Sequence, residues 1–249
     1  MTGFLTRPNI PDKKVTKMLV DYRIGAEAEK TLKKQGIEVI KTVKHKGLYE
    51  AVCGHPDMQL HHLGDDEFVC EPSVFDYYKK IMPKAKLIKG NTKISFEYPF
   101  DIAYNGAACG NYFFHNLKFT ESTIYEYYKA YGVKLINVKQ GYTKCSVCIL
   151  SANALITSDR IIAKKAVEEG LDALFFDSSE IILPGLSNGF VGGICGLIDK
   201  NVLTVNGDIL LLKNGEEFSL FCEKHGIEIL PLHSQLPVDI GSIIPIEQI

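Results

Sequence analysis

The chain has 249 residues, 46% of them hydrophobic and 23% charged, with a net charge of −2. These are ordinary values for a globular chain long enough to bury a real core, and they give no electrostatic case for nucleic acid or an anionic membrane as partner. No apolar run approaches the roughly 18 residues of a membrane span, the start "MTGFLTRPNIPDKK" lacks a signal peptide's apolar stretch, and seven cysteines scattered through apolar segments read as reduced thiols in the cytoplasm.

In chain order, one unit recurs: an amphipathic helix, a glycine stop, then a short apolar strand. It appears as "GAEAEKTLKKQ-GIEVIKTV", weakly as "EPSVFDYYKKIM-PKAKLIKG", then as "FTESTIYEYYKAY-GVKLINV", "TSDRIIAKKAVEE-GLDALFFD" and "KNGEEFSLFCEKH-GIEILPL". Gly36, Gly132, Gly170 and Gly226 fit the position just past a helix end, where a left-handed backbone favours glycine. In the weak copy Pro72 suits a first helical turn and Pro83 a stop. The stops lie about 48 residues apart, a spacing that marks repeat architectures. Ahead of four of the helices the sequence reads strand, turn, strand, with turns at Gly64-Asp65, Ala152-Asn153 and Asp199-Lys200-Asn201.

The first unit lacks its leading strands, because the sequence starts close to "VTKMLVDYR" and its helix, and the tail "LPVDIGSIIPIEQI" is a strand without a helix. Pairing the tail into the first unit closes the series and removes an open sheet edge. The expected fold is therefore a single α/β domain over residues 1–249, a ring of five ββαβ units closed by the C-terminal strand. The competing architecture, an open doubly wound sheet, expects one strand per helix rather than three.

This ring of five ββαβ units resembles the pentein fold, or five-bladed α/β-propeller. That superfamily includes the guanidine-modifying enzymes (deiminases, dimethylarginine hydrolases, amidinotransferases) and the non-catalytic translation initiation factor six. The chain is also similar to clostridial-type bacterial proteins described only by the guanidine-modifying-enzyme fold. The resemblance implies a Cys thiolate attacking a guanidinium or amidine carbon, a His handling protons, and carboxylates holding the guanidinium in bidentate hydrogen bonds. It implies no cofactor and leaves the oligomeric state open. The alternative is a pentein that binds a partner and catalyses nothing.

Gly54-His55-Pro56-Asp57 resembles the Gly-His-x-Asp motif of deiminases. By that match His55 is the acid/base and Asp57 a guanidinium carboxylate; read on its own, the segment is a turn with Asp57 capping local amides. The family's C-terminal Cys motif is not matched: the equivalent stretch, Asp239-Ile240-Gly241-Ser242, has Ser242 where a thiol is expected.

Cys53, Cys109, Cys145 and Cys195 precede Gly or Ser in the leading strands, as though one small residue per unit faced a crowded axis. They read either as packing residues or as a set of thiols containing the nucleophile. Cys145 is the first choice, because Lys144 precedes it, although strand alternation turns Lys144 to the other face. Cys109 is the second, with Asn105 as an amide contact. Asp101 is a further substrate carboxylate. Asp159 is another carboxylate candidate near a strand end, read first as a helix first-turn acid facing the dipole.

Other motifs point to no metal and no nucleotide. Cys145 and Cys148, three apart on a strand, face opposite sides, as do the adjacent His61 and His62; His115 lies apart. The Gly-rich stretch 184–196 leads into a strand rather than a helix, so it is a tight loop or a flap over the axis, not a phosphate cradle.

Overall fold

Four helices end where glycine takes the backbone left-handed: Gly36 (φ 81°), Gly132 (φ 68°), Gly170 (φ 85°) and Gly226 (φ 67°). In the computed structural model, which describes residues 2–249, each of these helices then turns into a strand of its own unit. The first unit holds β1 (Gly3–Phe4), β2 (Val15–Val20), α1 (Ala26–Lys34) and β3 (Glu38–Lys41). The second holds α2 (Pro56–Gln59), β4 (Leu60–Gly64), β5 (Glu67–Cys70), α3 (Phe75–Ile81) and β6 (Lys86–Lys89). The third holds β7 (Ala107–Cys109), β8 (Tyr112–His115), α4 (Ser122–Ala130) and β9 (Lys134–Asn137). The fourth holds α5 (Thr143–Ser146), β10 (Val147–Ser151), β11 (Ala154–Thr157), α6 (Arg160–Glu168) and β12 (Asp172–Phe175). The fifth holds β13 (Cys195–Asp199), β14 (Val202–Val205), α7 (Gly215–Lys224) and β15 (Glu228–Pro231), and β16 (Ile244–Gln248) ends the chain.

The strands form five separate sheets, not one open sheet. Units two to five share one topology: the first two strands pair antiparallel, and the strand after the helix pairs parallel with the middle one. The first unit, expected to lack both leading strands, has one of its own in β2, and β16 supplies the other, pairing antiparallel with β2 from Ile244↔Leu19 to Gln248↔Val15. β1 adds to the outer edge of β16, a pairing without a counterpart in the other units. Each helix lays its apolar stripe on its own sheet; Leu32 of α1, Ile162 of α6 and Phe218 of α7 are fully buried there. No described helix is long and apolar enough to cross a membrane, and all seven cysteines are free and buried.

Three details depart from the sequence reading. Pro72 lies ahead of α3 rather than within its first turn. The leading strands begin later than expected, because the residues before them curl into short helical turns: α2, α5 and a 3-10 turn at Val191–Ile194. Pro56 occupies the first turn of α2, where its missing N–H costs nothing. The four cysteines also occupy no common slot. Leu60, Val147 and Cys195 are equivalent by pairing with the last residues of β5, β11 and β14. The residues just before them (Gln59, Ser146, Ile194) each accept an amide hydrogen bond from the residue that follows the middle strand. Extending the register places Asn105 and Ser242 in the same slot of the other two units. Cys145 thus shares its place with Met58, Tyr104, Gly193 and Gly241, while Cys53, Cys109 and Cys195 fall elsewhere.

Gly241 and Ser242 both have positive φ, 69° and 76°, and a Cβ on Gly241 would overlap His55. Gly36 has the same backbone hand in open space. Gly36→Ala should therefore cost only the left-handed penalty of about 1–2 kcal/mol. Gly241→Ala should cost roughly 2 kcal/mol more, through overpacking against His55. Urea unfolding of both variants measures the difference, and equal losses would show that the Gly241–His55 contact gives way freely.

Candidate active site

The site is built by turns from four units. In the second, the His55 amide donates to Val52 O (3.0 Å), Pro56 starts α2, and the Asp57 amide reaches Gly241 O at 3.4 Å. In the third, Asn105 clamps the start of α5: its Oδ1 accepts from the amides of Lys144 (2.8 Å) and Cys145 (3.3 Å). In the closing turn Asp239 accepts from the Gly241 amide (2.9 Å) and, with its other oxygen, from the Phe190 amide (2.8 Å).

These turns converge on one oxygen. Asp57 Oδ2 accepts from the Cys145 thiol at 3.0 Å and from the Ser242 hydroxyl at 2.8 Å. Asn105 Nδ2 donates to Cys145 Sγ (3.3 Å), and Lys144 Nζ donates to Ser242 Oγ (3.0 Å). Ligand atoms of His55, Asp57 and Cys145 lie within 4.8 Å of one another, and His55 Nε2 is 4.0 Å from Asp239 Oδ1. All of these side chains are buried. Both ring nitrogens of His55 and the second oxygen of Asp57 have no hydrogen-bond partner. Buried polar atoms are nearly always paired, so unpartnered atoms on neighbouring residues mark where a ligand or ordered water would bond.

Burial dominates the electrostatics. It lifts Asp57 from 3.8 to about 6 against the pull of Lys144 and the hydrogen bonds from Cys145 and Ser242. It raises Cys145 well above an ordinary thiol, with the Asp57 and Asp239 carboxylates adding to the shift. It lowers His55, opposed by Asp239, and raises Asp239 itself. At rest the site holds a neutral imidazole and a protonated thiol hydrogen-bonded to a carboxylate.

The structure thus brings Cys145, His55, Asp57 and Asn105 together. Asp101 stands one layer out: its Oδ2 accepts from Tyr142 Oη at 2.5 Å, Tyr142 accepts from Tyr49 at 3.3 Å, and Asp101 Oδ1 is buried without a partner. Tyr142 directly precedes α5, so Asp101 steadies the turn carrying Cys145. Cys109 is not brought in. It sits on β7, donates to Ser151 O (3.3 Å), and is pushed up to about 12 by burial. Cys53 contacts Tyr22, and Cys195 lies in the core between the fourth and fifth units.

Lys144 does not turn away from Cys145 as strand alternation requires, because both lie on a helical turn rather than a strand. The sequence reading missed Asp239 and the bonding of Ser242. Their signal was a carboxylate and a hydroxyl in the apolar tail "PVDIGSII". The turn carries Asp57 as expected, but its carboxylate binds across the molecule rather than capping local amides. Asp159 does cap a helix, accepting from the Ile161 and Ile162 amides at 2.8 and 2.9 Å. His61 and His115 are satisfied core histidines, bonded to Tyr128 and Thr120, and burial lowers them to about 3 and about 4. Among the described residues the group with donor spacing suited to a metal ion is His55, Asp57 and Cys145, not these histidines.

A family model described as a family of unknown function (DUF6873) matches residues 19–244. No curated protein matches the chain by sequence. Solved structures do match by shape. An inosamine-phosphate amidinotransferase from Streptomyces griseus is 13% identical, with 98% of this chain and 97% of that one covered and a TM-score of 0.59. An amidinotransferase of the saxitoxin biosynthetic pathway from Microseira wollei is 12% identical, with 91% of each chain covered and a TM-score of 0.54. DDAH from Pseudomonas aeruginosa, a cysteine-to-serine variant complexed with citrulline, is 8% identical, with 88% and 92% covered and a TM-score of 0.54. These neighbours are guanidine-modifying enzymes of the pentein superfamily, and at such identities the likeness establishes a shared mixed α/β fold.

Because Asp57 holds its proton more tightly when folded, its contribution to stability is present below pH 3.8 and lost as pH rises through about 6. Asp57→Asn removes that loss. Its stability relative to wild type should rise between pH 4 and pH 7 by on the order of 2 kcal/mol, read by urea unfolding at each pH. A constant difference would show that Asp57 titrates normally.

Proposed function

We propose that this chain, which belongs to the family of unknown function DUF6873, is a Cys145-dependent hydrolase or transferase acting on a guanidine or amidine compound. The observation that carries the reading is the thiol of Cys145 hydrogen-bonded at 3.0 Å to Asp57, with His55 beside both. We read the five sheets as blades of a closed ring forming one domain over residues 1–249, with the β16–β2 pairing as the closure.

In the mechanism a guanidinium meets the Asp57 and Asp239 carboxylates, and its positive charge offsets the two negative charges that hold the thiol protonated. The thiol proton passes to Asp57 and sulfur bonds to the guanidinium carbon. Asp57 returns the proton to the departing amine as the C–N bond breaks. His55, kept neutral by burial, takes a proton from water or an acceptor amine. The new bond to carbon displaces Cys145 as thiolate, which recovers the proton from His55. Asn105, donating to sulfur, steadies the thiolate in both steps.

One observation favours the second reading, a binding module. The site is closed: Cys145 is 3% exposed, and the cavities beside Asp57 and Lys144 hold about 20 and 10 Å³. Phe96, Tyr98 and Phe100 form an exposed aromatic loop, with Tyr98 against Tyr142. The enzyme reading requires an opening, for which the exposed stretch at 184–187 is placed, since it leads to Phe190, whose amide is held by Asp239.

Labelling with a haloacetamidine, a cationic guanidine mimic, followed by peptide mapping tests the reading, with iodoacetamide as neutral control. The expected result is labelling at Cys145 alone, faster than by iodoacetamide by roughly tenfold, the equivalent of about 1.4 kcal/mol of preferential binding. Slow labelling at several cysteines, no faster than by iodoacetamide, sinks the guanidine reading and favours the module.

A further inference from the structure

Ser242 stands where the superfamily pattern leads one to expect a thiol, yet the mechanism leaves it and Lys144 without a role. Their geometry gives them one. Lys144 is 7% exposed, and its ammonium makes one hydrogen bond among the described residues, to Ser242 Oγ. That hydroxyl passes its own proton toward Asp57 Oδ2, the oxygen that also receives the Cys145 thiol. The connection joins residues 185 positions apart in the chain, and it requires a non-glycine residue at φ 76°. A side chain held in the left-handed region costs of order 1–3 kcal/mol and persists only where the surroundings impose it. Glycine would fill this turn without that cost, so the backbone gains nothing from a serine here. The hydroxyl is the reason for the residue.

We propose that Lys144 and Ser242 are positioning residues, a relay that orients Asp57 and keeps its carboxylate charged beneath Cys145. Asp57 is faced by Lys144 and Cys145 from α5, by His55 from its own turn, by Asp239 and Ser242 from the closing turn, and by the amide of Asn105. Among these Lys144 is the one lysine; Asp239 opposes it, and burial keeps His55 neutral. Cys145 and Asp57 share protons and titrate as a pair. The singly deprotonated pair is the form that can attack, whichever atom holds the remaining proton. A cation two hydrogen bonds away stabilises that form wherever the negative charge sits. Lys144 therefore sets the pH at which the reactive form appears, and Ser242 transmits the contact.

The inference rests on Cys145 as the nucleophile but not on a guanidine substrate. The test uses the full chain and two readouts without substrate: the pH dependence of iodoacetamide alkylation mapped to Cys145, and the carbon-13 titration of the Asp57 carboxyl. Lys144→Met should move both midpoints to higher pH by about one unit or more, the usual effect of losing a nearby opposite charge. Lys144→Arg should keep them near wild type. Ser242→Gly separates relay from scaffold, because it relieves the backbone strain while removing the hydroxyl. It should shift the midpoints upward without loss of unfolding stability. Unchanged midpoints in Ser242→Gly, or in a folded Lys144→Met, overturn the relay. A shifted midpoint in a protein that the amidine fails to label at Cys145 would keep the relay and discard guanidine chemistry.

Discussion

A carboxylate buried at Asp57 is the constraint on which the centre of this molecule turns. Removing a charge from water costs several kcal/mol unless hydrogen bonds and an opposite charge replace the lost solvent. The replacements come from the third and fourth units and the closing turn: the thiol of Cys145, the hydroxyl of Ser242, the ammonium of Lys144 behind it, and the amide of Asn105 holding α5 in place. None is near Asp57 in sequence. Asp57 Oδ2 finds its partners only when the second and fourth units and the closing turn are docked in register, so the polar centre reports on the assembly of these units. The apolar cores, by contrast, lie mainly within or between neighbouring units.

The chemistry gathers in the turns ahead of the leading strands. The middle strand of each three-stranded sheet is paired on both sides, so its backbone groups are committed to the ladder. The helical turns α2 and α5 and the left-handed Gly241-Ser242 turn leave side chains free to meet one another at the site. Four of the five residues in the equivalent slot before the strands (Gln59, Asn105, Ser146 and Ser242) are polar; Ile194 is the exception. Gln59 and Asn105 spend their side chains on backbone groups of neighbouring turns. Ser242 is the residue of this slot set at positive φ, and its hydroxyl donates to the Asp57 carboxylate.

What the sequence revealed follows from how local each signal is. The helix stops at Gly36, Gly132, Gly170 and Gly226 were readable because a left-handed C-terminus is a property of one residue and its neighbours. The participation of β16 in the first unit was readable because a strand lacking a helix and a helix lacking a strand complement each other. The pairing of Cys145 with Asp57 spans 88 residues, and no local pattern encodes it; both residues were chosen, but on separate grounds. Lys144 was turned the wrong way because period-two alternation was applied to four residues that coil. Cys109 was attractive under the assumption of a common cysteine slot, which the strand register dissolves, and of an amide contact from Asn105, which goes to Cys145 instead. Asp239 was passed over because its role depends on where the tail docks.

A closed site around a protonated thiol and a site for nucleophilic chemistry are compatible. Burial that excludes water also pushes Cys145 up, and a protonated thiol neither attacks nor oxidises readily. Two carboxylates beside the thiol hold it in that state. On the proposed reading, the same two carboxylates attract a cation once a covering turn moves aside, and a cation between them reverses the balance that kept the proton on sulfur. A neutral ligand of the same size would fill the space and leave the thiol protonated. On this arrangement selectivity for charge and activation of the nucleophile are one electrostatic event, and Lys144 limits how far it goes. In the proposed relay, the Lys144 contact through Ser242 keeps Asp57 able to receive a proton without the site becoming so negative that the thiol never yields one.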